Sequence, residues 1–129
     1  MSNKTNLVAC SGLNPRGNLT RAAVSDITSV DENFSYSCIV ACGGGNEKHI
    51  QRTKDNKTIA VNGCNKNCPK TILKKVGGNV DKSIDIKELL TQHDLLPKDP
   101  VRINEHEEKG IKIIKKEIYK INERLWKQN

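Results

Sequence analysis

Short apolar runs alternate along the chain with amphipathic stretches, and this alternation predicts strands that are each followed by a helix. The first run, residues 7–10, stops at a Ser-Gly pair, and Asn18 is the expected N-cap of the helix after it. The second run, residues 36–41, stops at three consecutive glycines. The third run, residues 58–61, stops at Asn-Gly-Cys. We therefore predict three successive strand, turn and helix units.

The remaining elements of the predicted domain are shorter. We expect helices over residues 46–54 and 69–76, the second opened by a proline and closed by a glycine. Ile84 and Ile86 alternate with polar residues, which is typical of a half-exposed strand. A further short helix is expected over residues 87–96, because prolines follow it closely.

Beyond residue 104 the chain becomes rich in Lys and Glu and carries an apolar stripe at alternating spacings of three and four. The stripe consists of Ile111, Ile114, Ile118, Ile121 and Leu125. This spacing predicts an amphipathic helix of about 20 residues. Because the stripe covers barely two heptads, we expect it to pack onto its own domain, with pairing to a second copy or to another protein as the alternative.

Length and composition limit the fold. A chain of 129 residues ordinarily forms one domain, and only 3% of these residues are aromatic. A core of Ile, Val, Leu and Ala suits parallel strands covered by helices. We predict a small three-layer α/β domain with a mostly parallel sheet over residues 1–97, and a C-terminal helical extension over residues 98–129 packed on the same unit.

The charge and the amino terminus limit the partners. The net charge is +7, yet the basic residues are scattered and the few aromatic residues form no surface for stacking bases, so we expect no nucleic-acid site. The amino terminus lacks a signal-peptide pattern, and no apolar run approaches the roughly 20 residues of a membrane-spanning helix. We expect a cytoplasmic protein without membrane contact, in which five cysteines indicate metal binding or catalysis rather than disulfides.

Four of the five cysteines stand near the predicted strand ends. Cys10 closes the first run, Cys38 lies in the second, and Cys64 and Cys68 follow the third. Because the carboxyl ends of parallel strands meet at one edge of a sheet, we expect these sulfurs to converge. Four thiolates bind zinc tetrahedrally at about 2.3 Å. The spacing alone leaves metal ligation, nucleophilic chemistry and redox chemistry open.

The segments around these cysteines resemble the DGC domain family. The resemblance rests on Val-Ala-Cys-Ser-Gly at 8–12 with Gly17, on Ser-Cys at 37–38 with Gly43 and Gly44, and on Ile-Ala-Val-Asn-Gly-Cys at 59–64 with Cys68. It covers residues 7–97 and implies an α/β domain that binds zinc without an established reaction. The ligands that the resemblance implies are Cys10, Cys38, Cys64 and Cys68. Asn62 stands where the family has its name-giving Asp, so the carboxylate expected there is missing.

A thiol-based enzyme is the alternative interpretation. The segment from Cys10 to Arg16 fits Cys-x5-Arg, the phosphate-binding loop of low-molecular-weight protein tyrosine phosphatases, which it resembles in this one loop. Asp99 would be the general acid. Gly17 departs from the Ser or Thr that usually follows the arginine, and the other cysteines are left unexplained.

Several other roles for the thiols stay open. A reversible disulfide between Cys64 and Cys68 would indicate a redox or sensor protein, and iron–sulfur ligation by the same four thiolates is a further option. Cys42 is an extra thiol. It could act as a resolving thiol or as an alternative ligand to Cys38, but its apolar neighbours favour a core residue. Among the three histidines, His49 is the one to examine beside a metal, since it follows the glycine turn.

Overall fold

A computed structural model describes residues 4–10, 15–63, 68–98 and 103–127, and within these ranges the chain forms four strands and six helices. The strands are β1 (Thr5–Ala9), β2 (Phe34–Tyr36), β3 (Lys57–Asn62) and β4 (Lys82–Asp85). The helices are α1 (Pro15–Val30), α2 (Ile39–Gly43), α3 (Glu47–Asp55), α4 (Cys68–Val76), α5 (Ile86–Gln92) and α6 (Glu105–Lys127). The strands form one parallel sheet in the order β2-β1-β3-β4, which confirms the predicted α/β class.

Helices cover both faces of the sheet. Successive strand residues point to opposite faces, so Leu7 joins a core cluster with α1, α5 and α6, whereas Val8 joins a second cluster with α2, α3 and α4. Both side chains are fully buried. Helices therefore cover both faces of the central strand β1, so a ligand can approach this strand only at its ends.

The C-terminal helix α6 packs on the domain's own core. Its Gly110 lies so close to α1 that an added Cβ would stand 2.8 Å from Cδ1 of Leu19. Ile114 and Ile118 are fully buried in the first cluster. In the last turn, the indole N–H of Trp126 donates to Oγ1 of Thr5 at 2.8 Å. These contacts hold α6 along α1 and tie its end to the start of β1.

The expected strand over residues 36–41 is wrong. Strand β2 ends at Tyr36, and α2 begins at Ile39. Two adjacent β-branched residues favour a strand locally, but Ile39 and Cys42 are buried while Val40 is 71% exposed, which is helical spacing. Packing of this helical face in the second core cluster overrides the local preference.

Two boundaries also differ from the sequence-based expectation. Helix α1 begins at Pro15, so Asn18 lies inside the helix rather than at its N-cap. Strand β4 ends at Asp85, whose side chain accepts a hydrogen bond from the Glu88 amide at 3.2 Å and so caps α5. Ile86 therefore opens a helix instead of extending the strand. Across the described ranges, no helix has both the length and the apolar character that a bilayer crossing requires.

Candidate functional site

The strand order reverses at the carboxyl ends of β1 and β3. The chain leaves β1 through α1 on one face of the sheet and leaves β3 through α4 on the other. In open parallel sheets, ligands bind at such a reversal, just outside the carboxyl ends of the strands. Cys10 follows β1 directly, and Gly63 follows β3 directly. Cys10 and Gly63 therefore both lie at this reversal.

The two segments meet closely at Gly63. A Cβ added to this glycine would lie 3.1 Å from both N and Cα of Gly17 and 3.2 Å from Cβ of Cys10. The amide of Cys10 also donates to the carbonyl of Val61 at 3.0 Å. Cys10 is buried and is thus held between the end of β3 and the first turn of α1.

Cys38 lies at the exposed N-cap of α2, and a histidine holds its backbone. The Cys38 amide donates to Nδ1 of His49 at 3.1 Å, so the neutral imidazole carries its proton on Nε2. Ser37 donates its hydroxyl to the carbonyl of His49 at 3.0 Å and accepts from the side-chain amide of Asn6 at 2.8 Å. Since Asn6 is fully buried in β1, this chain of hydrogen bonds fixes the Cys38 segment to both the sheet and α3.

Cys10 and Cys38 line one cavity of about 250 Å³ between α1 and the turn after β2. The two residues come from separate strand ends, β1 and β2, which are neighbours in the sheet. This shared cavity is the clearest convergence among the cysteines that the structure describes.

Cys68 is exposed at the start of α4, and Asn62, which stands where the resembled family has Asp, is hydrogen-bonded to this helix. Asn62 is buried, and its Nδ2 donates to Oγ of Ser83 at 2.6 Å and to the carbonyl of Ile84 at 3.2 Å. Its Oδ1 accepts from the amide of Lys70 in the first turn of α4, at 3.4 Å. A carboxylate could not donate the first two bonds. Asn62 therefore links β4 to the turn of α4 that carries Cys68.

The four predicted zinc ligands are not all within the described residues, because Cys64 lies outside them. Among the residues that are described, His, Cys, Asp and Glu form no group of three or more suited to hold a metal ion. Cys68 is thus not joined with Cys10 and Cys38 in such a group. The zinc site stays a prediction.

The remaining thiol, Cys42, is fully buried in the second core cluster. This burial raises the pKa of the Cys42 thiol, and the electrostatic effect of the neighbouring Cys38 raises it further. Arg16 lies half-buried in the first turn of α1. Residues 11–14 of the Cys-x5-Arg segment, and Asp99, lie outside the described residues, so the phosphate loop also stays a prediction.

Sequence reasoning missed two polar residues that contribute to this site, Asn6 and Arg21. Asn6 could have been recognised, because a polar residue inside an apolar strand that is covered on both faces needs hydrogen-bond partners. Arg21 lines the cavity beside the two cysteines. Its sequence context carried no signal, because an exposed arginine on an amphipathic helix is the ordinary case.

Comparison with curated proteins and with solved structures finds no significant match. The family model for the DGC domain matches residues 6–120. This match reaches from β1 into α6 and so extends beyond residues 7–97, where the sequence resemblance was noted. Because it covers most of the chain, the protein belongs to the DGC domain family.

Proposed function

We propose that the protein binds one zinc ion through Cys10, Cys38, Cys64 and Cys68 at the carboxyl edge of the sheet. The observation that carries this proposal is that Cys10 and Cys38 line one cavity. Gly63, the residue before Cys64, adds support because it lies against Cβ of Cys10. Cys10, Cys38 and Gly63 thus follow three strands of one parallel sheet.

The chemistry of these residues fits a soft or borderline metal. Thiolates select zinc over the hard cations that prefer oxygen ligands. Cys68 is exposed at the start of α4 and is therefore accessible to a metal ion. A zinc ion held by four thiolates carries a net charge of about −2, which the protein's +7 net charge favours electrostatically. The proposed role is to hold the metal, without an assigned reaction.

Elemental analysis of protein purified without added metal tests the proposal. We expect about one zinc per chain, and loss of that zinc in each of the variants Cys10→Ala, Cys38→Ala, Cys64→Ala and Cys68→Ala. Cys42→Ala is the matched control, because the fully buried Cys42 is not among the proposed ligands. Zinc retained by all four ligand variants, or absent from the unmodified protein, contradicts the proposal. Visible absorbance of the same samples would reveal an iron–sulfur cluster instead.

A further inference from the structure

The cavity beside Cys10 and Cys38 is a small cleft. Its volume of about 250 Å³ lies just below the roughly 300–1,000 Å³ of pockets for drug-sized ligands, so it suits a small organic molecule. Leu7, Val24 and Ile39 contribute to a wall that is mostly apolar. Ligand sites are typically apolar clefts with a few convergent polar groups. A single metal ion would leave most of this space unfilled.

The cavity wall carries one cationic side chain. Apart from the proposed zinc ligands Cys10 and Cys38, Arg21 is the only described lining residue with a charged side chain at neutral pH, and no Asp or Glu is present. One guanidinium N–H of Arg21 donates to Oδ1 of Asn18 at 2.8 Å. Within the described part of the chain Arg21 has no carboxylate partner. A guanidinium has five N–H groups, so several remain available to an anion.

Asn18 fixes the position of the guanidinium. It is only 8% exposed, and its Oδ1 accepts the hydrogen bond from Arg21. Asn18 is not among the residues that line the cavity. It therefore orients Arg21 and does not itself contact a ligand.

We propose that this cavity binds a small organic carboxylate. The apolar body of the ligand lies against Val24 and Ile39, and its carboxylate accepts hydrogen bonds from Arg21. Arginine and carboxylate form charge-assisted bonds that are often bidentate. The ligand shares its cavity with the proposed zinc ligands Cys10 and Cys38, but none of the residues assigned to the carboxylate is itself a zinc ligand.

Fluorine NMR titration of the full chain with para-fluorobenzoate tests this proposal, with para-fluorobenzamide as the neutral analogue. We expect the carboxylate to bind and the amide to bind at least about tenfold more weakly. Arg21→Gln weakens carboxylate binding by about tenfold, and Arg21→Lys restores part of it because the charge returns without the planar fork. Val24→Phe fills the cavity and abolishes binding of both probes.

Arg124→Gln is the matched control, since Arg124 is exposed on α6 and does not line the cavity. Its affinity for para-fluorobenzoate stays unchanged. Equal affinities for the two probes, an unchanged affinity in Arg21→Gln, or no binding by the unmodified protein would each overturn the proposal. Zinc content is measured in every sample. Carboxylate binding by zinc-free protein separates a failure of the metal proposal from a failure of this one.

Discussion

Replacing Gly63 by alanine tests the close contact between the end of β3 and the first turn of α1. The added Cβ would lie 3.1 Å from N and Cα of Gly17 and 3.2 Å from Cβ of Cys10. Two of these three atoms belong to the backbone and cannot rotate away. Gly63 does not have a positive φ, so an alanine is compatible with its backbone and the effect comes from crowding alone. The strand and the helix must therefore move apart.

The size of the effect follows from two opposing contributions. Overpacking by a methyl group costs about 1–3 kcal/mol, while alanine stabilises by about 0.4–1 kcal/mol through the lower entropy of the unfolded chain. The net loss in free energy of unfolding is about 1–2 kcal/mol. With an m value of about 1–3 kcal/mol/M in urea, the unfolding midpoint falls by about 0.3–2 M.

Urea unfolding followed by far-ultraviolet circular dichroism measures this change. Gly43→Ala is the control, because its new Cβ would meet only Cγ2 of Ile72 at an ordinary 3.6 Å. Its midpoint should stay constant or rise, since alanine favours the helix that contains it. If Gly63→Ala unfolds at the same urea concentration as the unmodified protein, the contact at the cysteine edge is not tight and our reasoning about that edge is refuted.

Three further changes probe other parts of the molecule. Asn62→Asp removes the donor to the carbonyl of Ile84 and buries a carboxylate, so we expect a lower melting temperature by calorimetry; an unaltered melting temperature would contradict the linking role of Asn62. Leu73→Ala, at a fully buried position of the second core cluster, should lower the free energy of unfolding by about 2–5 kcal/mol in urea, and a loss below about 1 kcal/mol would argue against this core. Partial burial, together with the hydrogen bond to Asp31, raises the pKa of Tyr119 above its ordinary value of 10.0. The stability that Tyr119 contributes is therefore complete below pH 10.0 and is lost as the pH rises through the pKa of Tyr119 in the folded protein. In Tyr119→Phe the alkaline decline should be shallower, and identical pH profiles for the two proteins would refute the assignment.

Apolar patterning was sufficient for three elements. The strands before Cys10 and before Gly63 were predicted from continuous apolar runs, and both are buried along nearly their whole length. Helix α6 was predicted because its apolar stripe repeats at helical spacing. Helix α2 was missed because five residues carry too little pattern to outweigh the strand preference of Ile39 and Val40. Its identity is decided by packing in the second core cluster, which the local sequence does not encode.

For the candidate site, topology was predictable and contacts were not. Short apolar runs that end in cysteine turns indicate that strand ends meet, because parallel strands share an edge. Two contacts depend on how α3 and α1 pack against the sheet. They are the hydrogen bond from the Cys38 amide to His49 and the position of Arg21 in the cavity wall. Such contacts join residues from separate elements and leave no periodic signal in either.

The position of Trp126 gives the protein an optical reporter that is separate from its proposed ligand sites. Trp126 is the sole tryptophan of the chain, and its ring lies 4.6 Å from the ammonium of Lys57 while its N–H bonds to Thr5 at the amino end of β1. Cys10 stands at the other end of that strand. Intrinsic emission should therefore register detachment of α6 and stay silent when a ligand occupies the far edge. Tryptophan emission can therefore follow unfolding in the presence of a ligand, because the ligand itself does not change the signal.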